Sequence, residues 1–208
     1  MRVKTFPSPQ AALAGALAWL MENLLYASCG VLAGGETPLP VYRALARQGV
    51  RYPGVLLLSD ERWLEPGDPG TNLYRVGQAL GSLRERLLPF PLGLSPEQAR
   101  DWMEERIRPF LPFDFALLGL GEEGHTASLF PGSPALGSSR LVEVAVGPTY
   151  PSLRLTLTPK ALSGTRLVLF LALGPAKRRA ILRVARGEDL PPNRIRAEEK
   201  WIFTDQEV

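Results

Sequence analysis

The chain has a single histidine, His125, which closes the segment GLGEEGH at residues 119–125. Imidazole is the side chain whose ordinary titration falls between pH 5 and 8, so one presented by a loop is suited to taking and returning a proton near neutral pH. A lone histidine is more often a packed structural residue. This one follows three glycines at the end of an apolar run, FDFALL, where packing gives little reason for an imidazole. Those glycines, Gly119, Gly121 and Gly124, also satisfy the dinucleotide fingerprint G-x-G-x-x-G, and Glu143 lies 19 residues beyond the last of them, where that fingerprint wants an acid. Position counts against a nicotinamide cofactor. The fingerprint opens an early strand–helix unit, whereas this segment falls past mid-chain and continues with His125 instead of a small apolar helix start.

Two other segments could do chemistry. In AGGETP (33–38), Gly34 and Gly35 let backbone N–H groups approach an anion, Thr37 adds a hydroxyl and Pro38 begins a helix. A strand, a glycine turn and a helix start make a generic phosphate cradle, although a plain tight turn reads the same way. It is not a P-loop, because G-x-x-x-x-G-K-[ST] is absent. In SDERW (59–63), Arg62 can bind an anionic or carbonyl oxygen while Asp60 orients it or a neighbouring imidazole; a surface ion-pair cluster is the alternative. Downstream, Arg154 lies in PSLRLTLTP and Lys177 in GPAK, at the start of a helix. A cation there does not serve the helix dipole, whereas anion binding would explain it.

The missing residue types narrow the chemistry further. There is no G-x-S-x-G nucleophile elbow. Cys29 is the only cysteine, which rules out an intrachain disulfide and a cysteine-based zinc site. With one histidine and one cysteine, neither a metal triad nor a Cys/His dyad at conventional spacing is expected. A hydrolytic reaction would run through water activated by His125.

The elements that must position these residues alternate along the chain. Buried strands are expected at CGVLAGG (29–35), GVLLLSD (54–60), FDFALLG (113–119) and TRLVLFLAL (165–173), a half-buried strand at LVEVAV (141–146) and a last strand at WIFTD (201–205). Helices are expected at 39–49, at 71–88 with Gly77 and Gly81 as weak points, from Ser95 to about Pro109, at 158–163 and at 174–187, with a polar loop over 186–196. Near-continuous apolar strands separated by helices imply a doubly wound, mainly parallel α/β sheet with helices on both faces. No repeat or linker divides the chain, so residues 1–208 are expected to form one domain. In such sheets ligands bind beyond the carboxyl ends of strands, and AGGETP, SDERW and GLGEEGH all sit at such ends.

Composition is that of an ordinary globular protein, 45% hydrophobic and 22% charged, with a formal net charge of +3. The charges are interspersed, without the like-charge blocks or basic–aromatic stripe of a nucleic-acid face, and a small anionic substrate would account for the surplus. Arg2 and Lys4 precede the apolar stretch AALAGALAWLM, and YASC (26–29) loosely resembles a lipoprotein cleavage site. Pro7 and Pro9 separate those charges from the apolar run, and Glu22 and Asn23 interrupt it. Ser8 and Pro9 form a helix N-cap and first position, so an amphipathic N-terminal helix and a cytoplasmic, non-membrane protein are expected.

The ordered segments LAGGETPLPVYRAL, SDERWLEPGDPGTNLYRV, FDFALLGLGEEGHTASLFPG, RLTLTPKAL and LALGPAKRRAIL resemble the 6-phosphogluconolactonase family over roughly residues 5–205, most specifically at GHTASLFPG. The resemblance implies hydrolysis of 6-phosphoglucono-1,5-lactone to 6-phosphogluconate in the oxidative pentose phosphate pathway. It also implies a doubly wound fold shared with glucosamine-6-phosphate deaminases, a sugar-phosphate substrate and no metal or organic cofactor. Carried over by motif, His125 matches the general base, Asp60 and Arg62 the D-E-R site residues, and Gly34, Gly35 and Thr37 the phosphate-binding turn. Arg154 and Lys177 match basic residues near the phosphate. Two positions depart from the family pattern. Glu36 stands where serine is usual, and is expected to point outward while its N–H serves. Glu123 replaces an aspartate, which leaves its role open. The alternatives are an isomerase/deaminase of the glucosamine-6-phosphate type, whose loop continues as G-H-I-A-F-N-E-P with an acid absent here, and a non-catalytic sugar-phosphate sensor.

Overall fold

The structure, a computed structural model, describes residues 1–208. In chain order its elements begin with β1 (Arg2–Thr5), α1 (Pro9–Leu24), β2 (Cys29–Leu32), α2 (Leu39–Arg47), β3 (Val55–Leu58), β4 (Asp60–Arg62), α3 (Asn72–Leu80) and β5 (Leu87–Leu88). They continue with α4 (Pro96–Ile107), β6 (Phe115–Gly119), β7 (Val142–Val146), β8 (Leu153–Leu157), α5 (Pro159–Leu162), β9 (Thr165–Leu171), α6 (Arg178–Ala185), α7 (Pro191–Arg194) and β10 (Ala197–Thr204).

Seven strands form one sheet in the order β1-β10-β9-β6-β2-β3-β5, every pair parallel. The central strands are apolar and buried on both faces, as the unbroken runs CGVL and FALL require. The connections β1→β2, β2→β3 and β3→β5 run one way across the sheet, while β5→β6, β6→β9 and β9→β10 run the other. Right-handed crossovers therefore place α1, α2 and α3 on one face, where they pack on one another. The same rule sends α4, the β7–β8 hairpin and α6 to the opposite face, with α4 against β7. This is the doubly wound arrangement expected from the sequence. The core is a single cluster of 49 buried apolar side chains drawn from both faces.

Local signals set the helix starts. Ser8 accepts the Ala11 N–H at the head of α1, and Ser95 and Gln98 close a capping box on α4.

The structure departs from the sequence reading in several places, beginning with the expected polar loop over 186–196, which carries the short helix α7. The helix expected over 71–88 ends at Leu80, because Gly81 turns to φ +58°; a 3-10 stretch to Arg86 and the short β5 follow. Residues 2–5, which read only as a charged lead-in, form β1, and the last strand starts at Ala197 rather than at Trp201. Finally, SDERW does not simply close the strand expected over 54–60. Ser59 donates its N–H to Leu32 O in the large sheet at 2.9 Å and accepts the Leu157 N–H at 2.8 Å, so the chain passes there into a second sheet. That sheet is antiparallel, with three strands in the order β4-β8-β7.

Candidate active site

Neighbouring strands β2 and β6 are left in opposite directions, toward β3 and toward β9. That reversal opens a crevice beyond their carboxyl ends, the place where such sheets bind ligands. A cavity of about 320 Å³ lies there. It is lined by Gly34, Gly35 and Thr37 from the turn after β2, Asp60 and Arg62 from β4, and His125 from the loop after β6, with Arg154 from β8 and Lys177 ahead of α6. Eight of the nine singled-out positions thus converge on one space. The ninth, Glu123, stands behind the imidazole instead.

The His125 loop is built around close approach. A Cβ on Gly121 would sit 2.0 Å from His125 Nδ1, so glycine is the residue that lets the ring lie over this turn. The turn is closed by Gly121 N–H donating to His125 O at 2.8 Å. Phe130 flanks the imidazole with ring centroids 4.8 Å apart. Glu123 Oε1 lies 2.7 Å from His125 Nδ1. An ionised carboxylate only accepts, so Nδ1 carries a proton in this contact, and in the neutral imidazole the lone pair is on Nε2. Burial alone would raise the Glu123 pKa, but its own backbone N–H, the His125 imidazole and the Lys177 ammonium hold the carboxyl below the usual range. No helix follows Gly124; the chain continues through Thr126–Leu129 as a turn, so this loop lacks the helix N-terminus on which a dinucleotide pyrophosphate sits. Glu143 lies on β7, hydrogen-bonded by Ser138.

Arg62 and Arg154 face each other in the β4–β8 register. Arg62 donates to Gly70 O at 3.2 Å, and Arg154 reaches Thr149 only at 3.4–3.5 Å. The Nε atoms of both are buried without an acceptor. Burial pulls the Arg154 pKa down and Arg62 adds to this, against Asp60 and Glu61, which pull it up. Lys177 Nζ stands 3.9 Å from Glu122 Oε1, a loose contact that leaves its donors available. Three cations with unmet donors at one cavity make a site for a strongly anionic group.

The acidic residues divide the work of holding this frame. Asp60 is not bonded to Arg62 or His125; its carboxylate accepts Ser59 Oγ at 2.8 Å and Ser128 Oγ at 2.7 Å, joining β4 to the loop after His125. Glu61, fully buried, accepts the N–H groups of Arg62, Asn72 and Leu73 at 2.6–2.8 Å and so fixes the start of α3. Burial pushes its pKa up to about 7, against the lowering pull of those three N–H groups and with Asp60 adding to the rise. Glu36 points outward as expected, its side chain 82% exposed and paired with Arg75 of α3. Asn72 also lines the cavity, a residue that sequence reasoning passes over because an asparagine after Thr71 looks like an ordinary helix start. No three His, Cys, Asp or Glu side chains are grouped as a metal would need.

The family model described as "Glucosamine-6-phosphate isomerases/6-phosphogluconolactonase" matches residues 13–203, nearly the whole chain. The chain belongs to that family. Among curated members, it is similar to the 6-phosphogluconolactonase of Synechocystis sp., 35% identical over 165 residues, 72% of this chain and 68% of that one. It is also similar to the 6-phosphogluconolactonase of Thermotoga maritima, 33% identical over 185 residues, 83% of this chain and 81% of that one. The crystal structure of 6-phosphogluconolactonase from Thermotoga maritima superimposes with a TM-score of 0.83 at 28% identity, covering 97% of this chain and 96% of that one. Membership in the glucosamine-6-phosphate isomerase/6-phosphogluconolactonase family accords with the doubly wound sheet and with a site at its switch point.

Proposed function

We propose that the protein hydrolyses 6-phosphoglucono-1,5-lactone to 6-phosphogluconate, in the cytoplasm, as a step of the oxidative pentose phosphate pathway. The observation that carries this reading is the Glu123–His125 pair, whose imidazole shares a cavity with Arg62, Arg154 and Lys177. The substrate has the matching parts, a dianionic phosphate at one end and an electrophilic carbonyl at the other. The turn of Gly34, Gly35 and Thr37, with Arg154 and Lys177, takes the phosphate. Water between His125 and lactone C1 loses a proton to Nε2 as its oxygen bonds to C1, and the carbonyl oxygen becomes an oxyanion. Arg62, or backbone N–H groups of the same rim, stabilises that charge. When the intermediate collapses, the bond from C1 to the ring oxygen breaks, and the imidazolium returns its proton to that oxygen as the C5 hydroxyl forms. Asp60, held by two serines, positions β4 and with it Arg62.

A deaminase would need further acid–base groups for ring opening and enolisation. The residues after His125 supply none: Thr126 Oγ1 donates to Gly119 O, and Ser128 Oγ donates to Asp60. A sensor would have no use for an oriented imidazole. The test is a lactone-hydrolysis assay corrected for spontaneous ring opening, run beside a phosphate-free lactone and an ammonia-release assay on glucosamine 6-phosphate. Fast turnover of the phosphorylated lactone alone is expected, and ammonia release without lactonase activity would overturn the reading.

A further inference from the structure

Apart from His125 Nε2 and the Thr37 hydroxyl, the polar side chains lining the cavity offer few free hydrogen-bond acceptors. Arg62, Arg154 and Lys177 only donate, as do the backbone N–H groups of the Gly34–Gly35 turn. Both oxygens of Asp60 are occupied by serine hydroxyls, and the Glu36 carboxylate is turned to Arg75. Such a site grips a phosphate, but a polyhydroxylated ring also brings donors that must be met once water is excluded.

Asn72 supplies a further acceptor. The residue is only 3% exposed, yet lines the cavity. Its backbone N–H is held by Glu61 at 2.6 Å, and its amide donates Nδ2–H to Asp60 O at 2.9 Å. Because a carbonyl oxygen can only accept, that bond decides which end of the amide is nitrogen. It leaves Oδ1 with no donor anywhere in the chain. The turn opposite makes room for the amide: a Cβ on Gly34 would stand 2.1 Å from Asn72 Cγ. Capping α3 does not require this side chain, since Thr71 and Glu61 already serve its first N–H groups.

We propose that Asn72 Oδ1 accepts a hydrogen bond from a ring hydroxyl of the substrate and is a specificity-determining contact of this site, an inference that rests on the lactonase reading above. An acceptor that is open to the cavity gives up its water when the ligand enters, which disfavours any ligand lacking the hydroxyl, so the residue discriminates the polyhydroxylated lactone from deoxygenated analogues.

The experiment is a cycle of kcat/KM values for wild type and Asn72→Ala on the intact phosphorylated lactone and on its 2-deoxy, 3-deoxy and 4-deoxy analogues. For one analogue, wild type is expected to lose about tenfold or more, the loss typical of an unmet buried hydrogen-bond partner. Asn72→Ala is expected to lose a similar factor on the intact lactone and nothing further on that analogue. A variant that loses the same factor on the intact and every deoxy lactone acts through structure, and the proposal fails. If Asn72→Ala does not fold, Asn72→Ser, which keeps a polar group but falls short of the hydroxyl, is put through the same cycle with the same criteria. Absence of wild-type turnover on the intact lactone would overturn the lactonase reading itself, and this proposal with it.

Discussion

Arg62 and Arg154 stand directly opposite each other across the antiparallel pair β4–β8, each with a buried Nε that meets no acceptor. Like charges in that position repel, and a buried unmet donor adds to the cost. The arrangement becomes favourable when an anionic ligand fills the cavity, its phosphate against Arg154 and its C1 end against Arg62. Inorganic phosphate or 6-phosphogluconate is therefore expected to raise the thermal midpoint, by the equivalent of about 2.7 kcal/mol at a hundred times Kd. Arg154→Met should be at least as stable as wild type without ligand and should lose most of the rise. Differential scanning fluorimetry checks both, and a wild-type midpoint indifferent to excess 6-phosphogluconate would contradict the assignment.

The Glu123–His125 contact predicts a graded loss. His125→Ala should lower kcat by about 10²–10⁴-fold, the usual range for a general base. Glu123→Leu leaves the ring free to turn, and should cost less, roughly tenfold to a hundredfold in kcat with KM little changed. Steady-state kinetics corrected for spontaneous hydrolysis separates the two. Equal, near-normal turnover in both variants would remove His125 from the reaction.

Two glycines of the rim should respond in opposite ways. Gly121→Ala drives a methyl group into the imidazole, because its Cβ has only 2.0 Å to His125 Nδ1. Activity should fall close to that of His125→Ala. A Cβ on Gly35 would meet nothing within 4 Å, so Gly35→Ala should fold normally and act, if at all, on KM through the anion turn. Kinetics on the pair, with circular dichroism to confirm folding, distinguishes the close approach at Gly121 from a general intolerance of the rim.

Glu61 ties protonation to stability. Its folded pKa of about 7 lies above the ordinary 4.5, so between those values the folded chain keeps a proton that the unfolded chain has lost. Its contribution is fully present below about pH 4.5 and is lost as pH rises through 7, on the order of 3 kcal/mol in total. Glu61→Gln does not titrate. The midpoint of the variant relative to wild type should therefore climb between pH 5 and pH 8, and parallel midpoint–pH curves would show that Glu61 is ionised throughout.

Much of this arrangement is legible in the sequence because its signals are local. The runs CGVL, VLLL and FALL read as buried parallel strands, and Ser8 and Ser95 announce their helices. The second sheet is not legible. Asp60–Arg62 is three residues long and polar, and its strand character comes entirely from pairing with Leu153–Leu157 some ninety residues later. β1 escapes notice for the same reason, as RVKT is mostly exposed and is ordered by β10. Gly81 reads as a weak point, but only its left-handed φ shows that the helix stops there. At the site, residue types point to His125, Arg62 and Lys177, whereas the second partner of Asp60, Ser128, comes from a distant segment and no spacing rule brings the two together.

The pairing of β1 with β10 has a temporal consequence. Arg2 is in register with Trp201, so β1 is hydrogen-bonded only by a strand that is synthesised about two hundred residues after it. Contacts so distant along the chain form slowly, and until then the outer side of β10 is an unpaired edge. The turn after β2 and the loop after β6 can meet much earlier, since β2 and β6 pair directly. The crevice that holds His125 can thus take shape while the margin of its own sheet is still open.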